Sequence, residues 1–565
     1  MSLKKTYIIN IDGMRADYVG AGGHQGCLAP TLTAVASQGL LFTQCSSIMP
    51  ANTGTNHVGI LTSAHAGSHG ILGIGGYFQG LDFNHFRFSK KYGMAKACVY
   101  EHRHLQVPTF FNIIKQEDHM LTTGFISGKP WLGSIIPDQD CDITIYPGNT
   151  GSGHPPNPAY VTKPAGYVLG GLAHPQDNEI FPRLYVPGLS ESEPGAPPGT
   201  INLAPADFDT EKLPSDEWVI DQAIHCVEED DPDFLYMVLM NMDLAGHAYG
   251  SFHIEESAEI LDKKNLSSLR NPDAIRDQLF LTDAQVKRFI DFLKNESSFD
   301  DARLIITADH GMSTMKTLLS GVSKNQILEW ILGKLSFVSD TKYYAVSPFQ
   351  GLERLDIDLR QVLAAQGIEM RASQGRFFHR YNGRGDYDWC ISEGPNGYIF
   401  NVSPEVQQQI KTILTQYTIQ ENGTVVHPIW KVLIRSEQGT AINEFTGKPF
   451  GLGNGENLDV IWPDVIVFCR PHYMVPMYND QLQSALMPLM IKMRLPGFID
   501  LRTATGAHGT YLESAVPLIF VSPSEPLVPV GVVREDPVSV LDILPTLTML
   551  NEWSTPSLFE GTSLL

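Results

Sequence analysis

Four stretches of this chain share one pattern: an apolar run of strand length stops at a carboxylate, or a turn presents histidine beside glycine. They are Tyr7-Ile-Ile-Asn-Ile-Asp12-Gly13, Met240-Asn-Met-Asp243-Leu-Ala-Gly-His247, Leu304-Ile-Ile-Thr-Ala-Asp309-His310-Gly311 and Thr505-Gly-Ala-His508-Gly509. In an open α/β sheet, ligands collect beyond the carboxyl ends of the strands, so aspartates set there from separate strands converge on one crevice. Leu121–Ile126, Phe234–Met240, Val465–Phe468 and Pro517–Val521 also have the look of buried parallel strands. Helical patterns lie between these runs. Leu32, Val35 and Ala36 make one apolar stripe, and Thr282-Asp283-Ala284-Gln285 reads as a capping box ahead of Val286, Phe289, Ile290 and Leu293. The expectation is an α/β fold with a mostly parallel central sheet and helices on both faces.

Two stretches break this rhythm. Residues 145–215 are rich in proline and glycine and read as long, ordered surface loops. Residues 316–455 mix helix and strand signals and read as an inserted α+β cap domain. Residues 1–315 and 456–565 then form the two parts of the catalytic core, a division that the 565-residue length allows.

A formal charge of −22 disfavours long nucleic acid as a partner, because that binding relies on Lys and Arg neutralising phosphates. A small phosphorylated substrate is not disfavoured, since bound divalent metals reverse the field locally. No run approaches the roughly 18 apolar residues needed for a membrane span. Seven scattered cysteines without a CxxC pair favour reduced thiols and a cytoplasmic location. No signal peptide is read ahead of the first strand. An opening Met1-Ser2-Leu3 that replaced a leader would instead make the location periplasmic or secreted.

Taken singly, each chemical segment has a plainer reading. Asp12 before glycine suits a turn, Asp243 and His247 form a D-x-x-x-H that arises by chance, and His508 is one of 18 histidines. Asp309-His310 weighs more, because adjacent titratable residues after an apolar run are costly to bury uncompensated. Together, three aspartates and three histidines are oxygen and nitrogen donors suited to Zn²⁺, with Mn²⁺ or Fe as alternatives. Two such ions roughly 3.5–4 Å apart clamp both oxygens of an in-line displacement at phosphorus. Thr53, in Pro50-Ala-Asn-Thr53-Gly-Thr-Asn-His57, stands where a helix is expected to start. Free N–H groups at that end favour an anion, and a metal or base is needed to activate the hydroxyl.

The ordered set Asp12, Thr53, Asp243-x-x-x-His247, Asp309-His310-Gly311 and His508-Gly509 resembles the alkaline phosphatase superfamily. Its nearest branches are the nucleotide pyrophosphatase/phosphodiesterases (type I phosphodiesterases) and the phosphonoacetate hydrolases. Ala29-Pro-Thr-Leu32, His69-Gly70-Ile71, Asp542-Ile-Leu-Pro-Thr-Leu547 and Gly561-Thr-Ser-Leu564 match as well. The resemblance implies one metal on Asp243, His247 and His508, and another on Asp12, Asp309 and His310 with the Thr53 oxygen facing it. It also implies attack by Thr53 on phosphorus, a covalent phospho-threonine, and hydrolysis of that intermediate by water.

The chain departs from those branches where substrate is recognised. Their phosphoryl-holding Asn corresponds to Ile74, in Leu72-Gly-Ile-Gly-Gly-Tyr77, leaving the N–H groups of Gly75 and Gly76, or another side chain, as candidate replacements. Gly54 follows the nucleophile where nucleotide-cleaving members carry a stacking aromatic. Lys129, in Ile126-Ser-Gly-Lys-Pro-Trp131, matches a substrate-holding lysine of the phosphonoacetate branch, against a plainer reading as an exposed loop lysine. Phosphodiester, pyrophosphate or phosphonate hydrolysis therefore leads. The alternatives are a phosphomonoesterase on the same scaffold and a metal-binding module without catalysis.

Overall fold

The computed structural model describes residues 4–19, 29–73, 76–78, 100–129, 132–146, 160–162, 183–185, 200–202, 216–251, 272–314, 317–319, 352–354, 359–371, 387–421, 424–453, 455, 460–473, 475 and 506–565. Most of the expected 145–215 loops, with Ile74 and Gly75, lie outside them.

Five strands, Arg303–Thr307, Thr6–Ile11, Phe234–Leu239, Thr123–Ser127 and Ile143–Tyr146, lie side by side in that order and all run parallel. Ile9 stands opposite both Ile306 and Met237. Four of these strands are buried along their whole length, and three of them, Thr6–Ile11, Phe234–Leu239 and Arg303–Thr307, read for that reason as mostly apolar runs. Ala515–Val521 adds to the edge of this block antiparallel to Arg303–Thr307, and Leu40–Ser46 pairs antiparallel beyond it. Val532–Arg534 and Val538–Ser539 join Leu40–Ser46 in parallel, and Tyr160–Thr162 closes the far edge antiparallel. The sheet is mostly parallel, as expected, although Pro517–Val521 belongs to an antiparallel strand.

Both faces are covered. Tyr7 and Phe234 point to opposite sides, because Phe234 is in register with Thr6 and side chains alternate along a strand. The Tyr7 ring meets Phe289 of the helix Pro272–Asn295 edge-on at 5.6 Å. On the other side, Phe234 meets Phe110 and Phe111 of the helix Phe110–Glu117 at 5.1 and 5.8 Å. Val286, Phe289, Ile290 and Leu293 are buried on one helical face. The expected capping box at Thr282 does not start that helix, which begins ten residues earlier. Instead, the Thr282 hydroxyl donates to Asp216 at 2.7 Å, and the Asp283 carboxylate accepts the N–H groups of Thr31 and Leu32 at the start of Pro30–Ala36.

A smaller sheet orders Met370–Arg371, Tyr387–Glu393, Asn396–Phe400, Val465–Cys469 and Ile429–Ile434. The run Val465–Phe468 therefore does not join the parallel block; it pairs antiparallel on both sides. Its two faces are buried in different cores. Ile466 and Phe468 pack into the main one, while Val465, Val467 and Cys469 pack into a second that includes Ile410 and Leu414 of the helix Pro404–Gln416. Burial on both sides gives the same apolar run in either sheet, so periodicity alone does not assign it. This strand lies beyond the expected cap boundary at 455 yet pairs with strands inside it.

The C-terminal tail fixes the helix Thr53–Thr62 from its far end. The Ser63 hydroxyl donates to the Leu541 carbonyl at 2.7 Å, and the Ser63 carbonyl accepts from the Glu560 N–H at 2.7 Å. Asp542 accepts from the N–H groups of Ser539 and Thr562, each at 2.8 Å. Past the helix Thr53–Thr62, at the end of the short helix Ala66–His69, His69 is fully buried and its Nδ1 accepts from the Ile71 N–H at 3.1 Å. Burial pushes its pKa down from 6.5 to about 3. Between those values the unfolded chain takes up a proton that the folded chain does not, so stability falls as pH falls, by about 1.4 kcal/mol per unit. His69→Asn keeps an acceptor for Ile71 and is expected to flatten the stability profile between pH 6 and pH 4 by about that slope. Urea midpoints at several pH values measure it; identical slopes in the two proteins would contradict the assignment.

Candidate active site

Four neighbouring parallel strands each deliver a polar group at the same edge of the sheet. Asp12 directly follows Thr6–Ile11, and Asp309 and His310 follow Arg303–Thr307 after one alanine. Lys129 stands two residues past Thr123–Ser127. Asp243 lies in the first turn of the helix Asn241–Tyr249 after Phe234–Leu239. Gly13, at φ +79°, lets the chain turn between two of these elements; a Cβ there would lie 2.7 Å from Asp243 Cα. Its N–H donates to Asp309 Oδ1 at 3.3 Å.

His247 is one helical turn after Asp243, so the two share a face, with Nε2 3.3 Å from Asp243 Oδ1. His508 comes from far along the chain. The short strand Gly506–Ala507 pairs with Ser313–Thr314, just past Asp309-His310, and brings His508 Nε2 to 3.8 Å from the same Asp243 oxygen. His310 Nε2 lies 3.4 Å from Asp12 Oδ1 and 3.3 Å from Asp309 Oδ2. The rings of His310 and His508 stack at 3.6 Å, which joins the two groups into one cluster.

Thr53 opens the helix Thr53–Thr62, and it is Asn52 that caps it, its Oδ1 accepting the Thr55 N–H at 3.1 Å. The Thr53 hydroxyl is thereby left for the cluster, with Oγ1 3.0 Å from His310 Nε2.

All three expected histidines have their ring tautomer set by the backbone. Nδ1–H of His247 donates to the Gly506 carbonyl at 3.1 Å, that of His310 to Gly311 at 2.8 Å and that of His508 to Ala51 at 3.1 Å. Each neutral ring then presents the Nε2 lone pair to the crevice, the arrangement by which outer partners orient metal-binding histidines. Asp12 Oδ1, Asp243 Oδ1 and Asp309 Oδ2 are buried and accept no hydrogen bond from the described residues. Donors held tetrahedrally at metal distances lie about 3.3–3.6 Å from one another. Most of the separations here match that spacing, and the groups Asp243–His247–His508 and Asp12–Asp243–His310 each gather within 4.8 Å. The residues present therefore fit divalent cations.

Electrostatics point the same way. Burial raises the Asp12 and Asp309 carboxyls above the ordinary aspartate range. Burial acts on Asp243 in the same sense, but Lys129, with the neighbouring histidines, outweighs it and holds that carboxyl well below the range. Burial, with His310 beside it, pushes His508 well down. Lys129 is itself buried, which opposes its charge, yet Asp12, Asp243 and Asp309 raise its pKa. It is no solvent-exposed loop lysine. Its Nζ lies 2.5 Å from Asp12 Oδ2 and 2.8 Å from Asp243 Oδ2, and donates to Thr53 Oγ1 at 3.3 Å.

Sequence reasoning missed His57. One turn after Thr53 on the same helix, it brings Nε2 to 3.5 Å from Asp309 Oδ2 and 3.8 Å from Asp12 Oδ2, and these three residues form a third group able to hold a cation. Its i+4 spacing from Thr53 was the available signal. Of the glycines expected to hold substrate, Gly75 lies outside the described residues. Gly76 packs on the Tyr100 ring, where a Cβ would come within 2.6 Å of Cζ.

A model of the family described as type I phosphodiesterase/nucleotide pyrophosphatase matches residues 6–358. That range includes the candidate residues from Asp12 to His310 but not His508. Murine ectonucleotide pyrophosphatase/phosphodiesterase 5 is similar in structure, with a TM-score of 0.50 and 13% identity over 99% of this chain and 97% of that one. An inactive variant of the same murine protein in complex with AMP gives a TM-score of 0.50 and 12% identity over the same shares. At these identities the likeness shows the fold. No curated protein matches the chain significantly.

Proposed function

The chain belongs to the type I phosphodiesterase/nucleotide pyrophosphatase family, and from that premise we propose a two-metal hydrolase that cleaves phosphodiester, pyrophosphate or phosphonate bonds through a covalent phospho-threonine at Thr53. One observation carries this reading. Six buried or half-buried donors from four separate segments meet around a threonine hydroxyl at a helix start. Asp243, His247 and His508 would hold one ion, and Asp12, Asp309 and His310 the other, with Thr53 Oγ1 beside it. Zn²⁺ suits this nitrogen and oxygen set best, with Mn²⁺ or Fe as alternatives. When bound, such ions supply Lewis-acid charge that favours the ionised hydroxyl and neutralises charge on the departing oxygen.

The side chains do the rest. Lys129, kept protonated by its aspartates, donates to Oγ1 and stabilises the anionic nucleophile. The Thr53 oxygen attacks phosphorus as the bond to the leaving group breaks. Water then attacks the same phosphorus, the bond to Oγ1 breaks, and the threonine is restored. Asn52 takes the Thr55 N–H, and the remaining N–H groups of the first helical turn, those of Thr53 and Gly54, favour the phosphoryl oxygens at that end. Rates of the metal-loaded enzyme on a bis-aryl phosphate, an aryl phosphate, an aryl phosphonate and phosphonoacetate test the ranking. Faster cleavage of the monoester than of the diester would overturn it.

The phosphomonoesterase reading gains from a specific observation. A monoester carries one more negative charge, and the Lys129 ammonium stands 3.3 Å from the nucleophilic oxygen. Lys129→Met is expected to lower monoester turnover about 10- to 100-fold more than diester turnover, the worth of one charge-assisted hydrogen bond. Equal losses on both substrates would assign Lys129 to balancing the aspartates and not to the substrate's charge.

A further inference from the structure

The His57 side chain is fully buried between the helix that carries Thr53 and the sheet below it. Its Nδ1 lies 2.7 Å from the hydroxyl of Tyr236, on the strand Phe234–Leu239, and the two rings meet edge-on at 5.9 Å. Its Nε2 faces Asp309 Oδ2 at 3.5 Å and Asp12 Oδ2 at 3.8 Å. A neutral imidazole carries one N–H, so these contacts have two solutions. If Nδ1 donated to Tyr236, the Nε2 lone pair would face two carboxylate oxygens and be repelled unless a cation lay between them. If Tyr236 donates to Nδ1, Nε2–H faces both carboxylates and is attracted by each.

The cation that Asp12, Asp309 and His310 would hold already has four donors with Thr53 Oγ1, which fills a tetrahedral set. The second solution therefore needs no extra ligand. Asp309 is held from the other side by the Gly13 N–H on Oδ1. We propose that His57, with its tautomer set by the Tyr236 hydroxyl, is a positioning residue that orients the Asp309 carboxylate for the cation beside Thr53, without ligating that cation itself. The inference rests on the two-metal reading of the site. It differs from His247, His310 and His508 in a checkable way: their Nδ1 atoms are tied to backbone carbonyls, which only accept, whereas His57 Nδ1 faces a hydroxyl that is able to donate.

The test uses the full chain as wild type, His57→Leu, His57→Gln and Tyr236→Phe. Each is titrated with Co²⁺ against a chelator to give an affinity for each of two ions, and the electronic spectrum is taken at saturation. His57→Leu is expected to weaken one ion by about 10- to 100-fold and leave the other unchanged, as loss of an outer partner does. Gln restores an N–H at the Nε2 position and is expected to recover most of that loss. Tyr236→Phe, which removes one oxygen remote from the cations, is expected to weaken the same ion and keeps the test alive if His57→Leu fails to fold. The saturated spectra should match, because the donor set is unchanged. Full affinity in His57→Leu, or no effect of Tyr236→Phe, would overturn the proposal. So would a changed spectrum, which would make His57 a ligand. Wild-type protein that binds no ions would sink the two-metal reading and this one with it; tight wild-type binding beside an unaffected His57→Leu sinks this one alone.

Discussion

Thr53→Ala is expected to lower turnover by on the order of 10³-fold or more, on every substrate the enzyme accepts, while two divalent ions stay bound. The size follows from losing the atom that forms the covalent bond, not a neighbour that tunes it. The fold has little reason to change. Thr53 does not cap its helix; that contact belongs to Asn52, whose Oδ1 accepts the Thr55 N–H. Alanine is tolerated at a first helical position, so the melting temperature should barely move. The six charged or imidazole donors remain, and they supply most of the hold on the cations. Thr53→Ser should keep much of the activity, because the attacking oxygen is retained. Steady-state rates beside metal content per chain measure both halves. Unchanged turnover in Thr53→Ala would exclude this residue as the nucleophile, and loss of both ions would move its role from chemistry to the site's assembly.

Removal of the metals is expected to have the second large effect, on activity and stability together. Asp12, Asp243 and Asp309 are buried within one crevice, each leaves an oxygen without a hydrogen-bond donor among the described residues, and the Lys129 ammonium contacts two of them, Asp12 and Asp243. Carboxylates taken from water and left unpaired are costly, so cations that pair them stabilise the folded chain. An ion present at a thousand times its dissociation constant adds about 4 kcal/mol. Chelation should therefore abolish turnover and lower the melting temperature, and added Zn²⁺ or Mn²⁺ should restore both. Acid should act in the same sense, because protonated histidines do not bind metal. Thermal melts and rates with and without chelator provide the check. Full activity and an unmoved melt in chelator would contradict a metal-dependent mechanism.

How far the sequence reaches depends on how local each signal is. Asp12 and Asp309 were legible because each stands at the end of a wholly buried strand, so one stretch of chain carries both the strand and the site. His247 was legible through its helical spacing from Asp243. His508 carried nothing by itself; only the resemblance singled it out, and a two-residue strand pairing brings it to Asp243. Lys129 shows the opposite limit. An isolated lysine in a Gly-Lys-Pro turn reads as solvated, and the aspartates that justify its burial come from segments more than a hundred residues away on either side. His57 lay hidden because every residue of its helix is buried, which leaves no polar face to mark a functional side chain. Among the described residues, no helix is long and apolar enough to cross a membrane. The described cysteines Cys45, Cys141, Cys226 and Cys469 are buried.

Anomalous diffraction from crystals soaked in Zn²⁺, recorded on both sides of the zinc absorption edge, tests the central claim most directly. Two peaks roughly 3.5–4 Å apart are expected, one against Asp243, His247 and His508 and the other against Asp12, Asp309, His310 and the Thr53 oxygen. A single peak, or peaks away from these side chains at a zinc concentration that supports turnover, would contradict it.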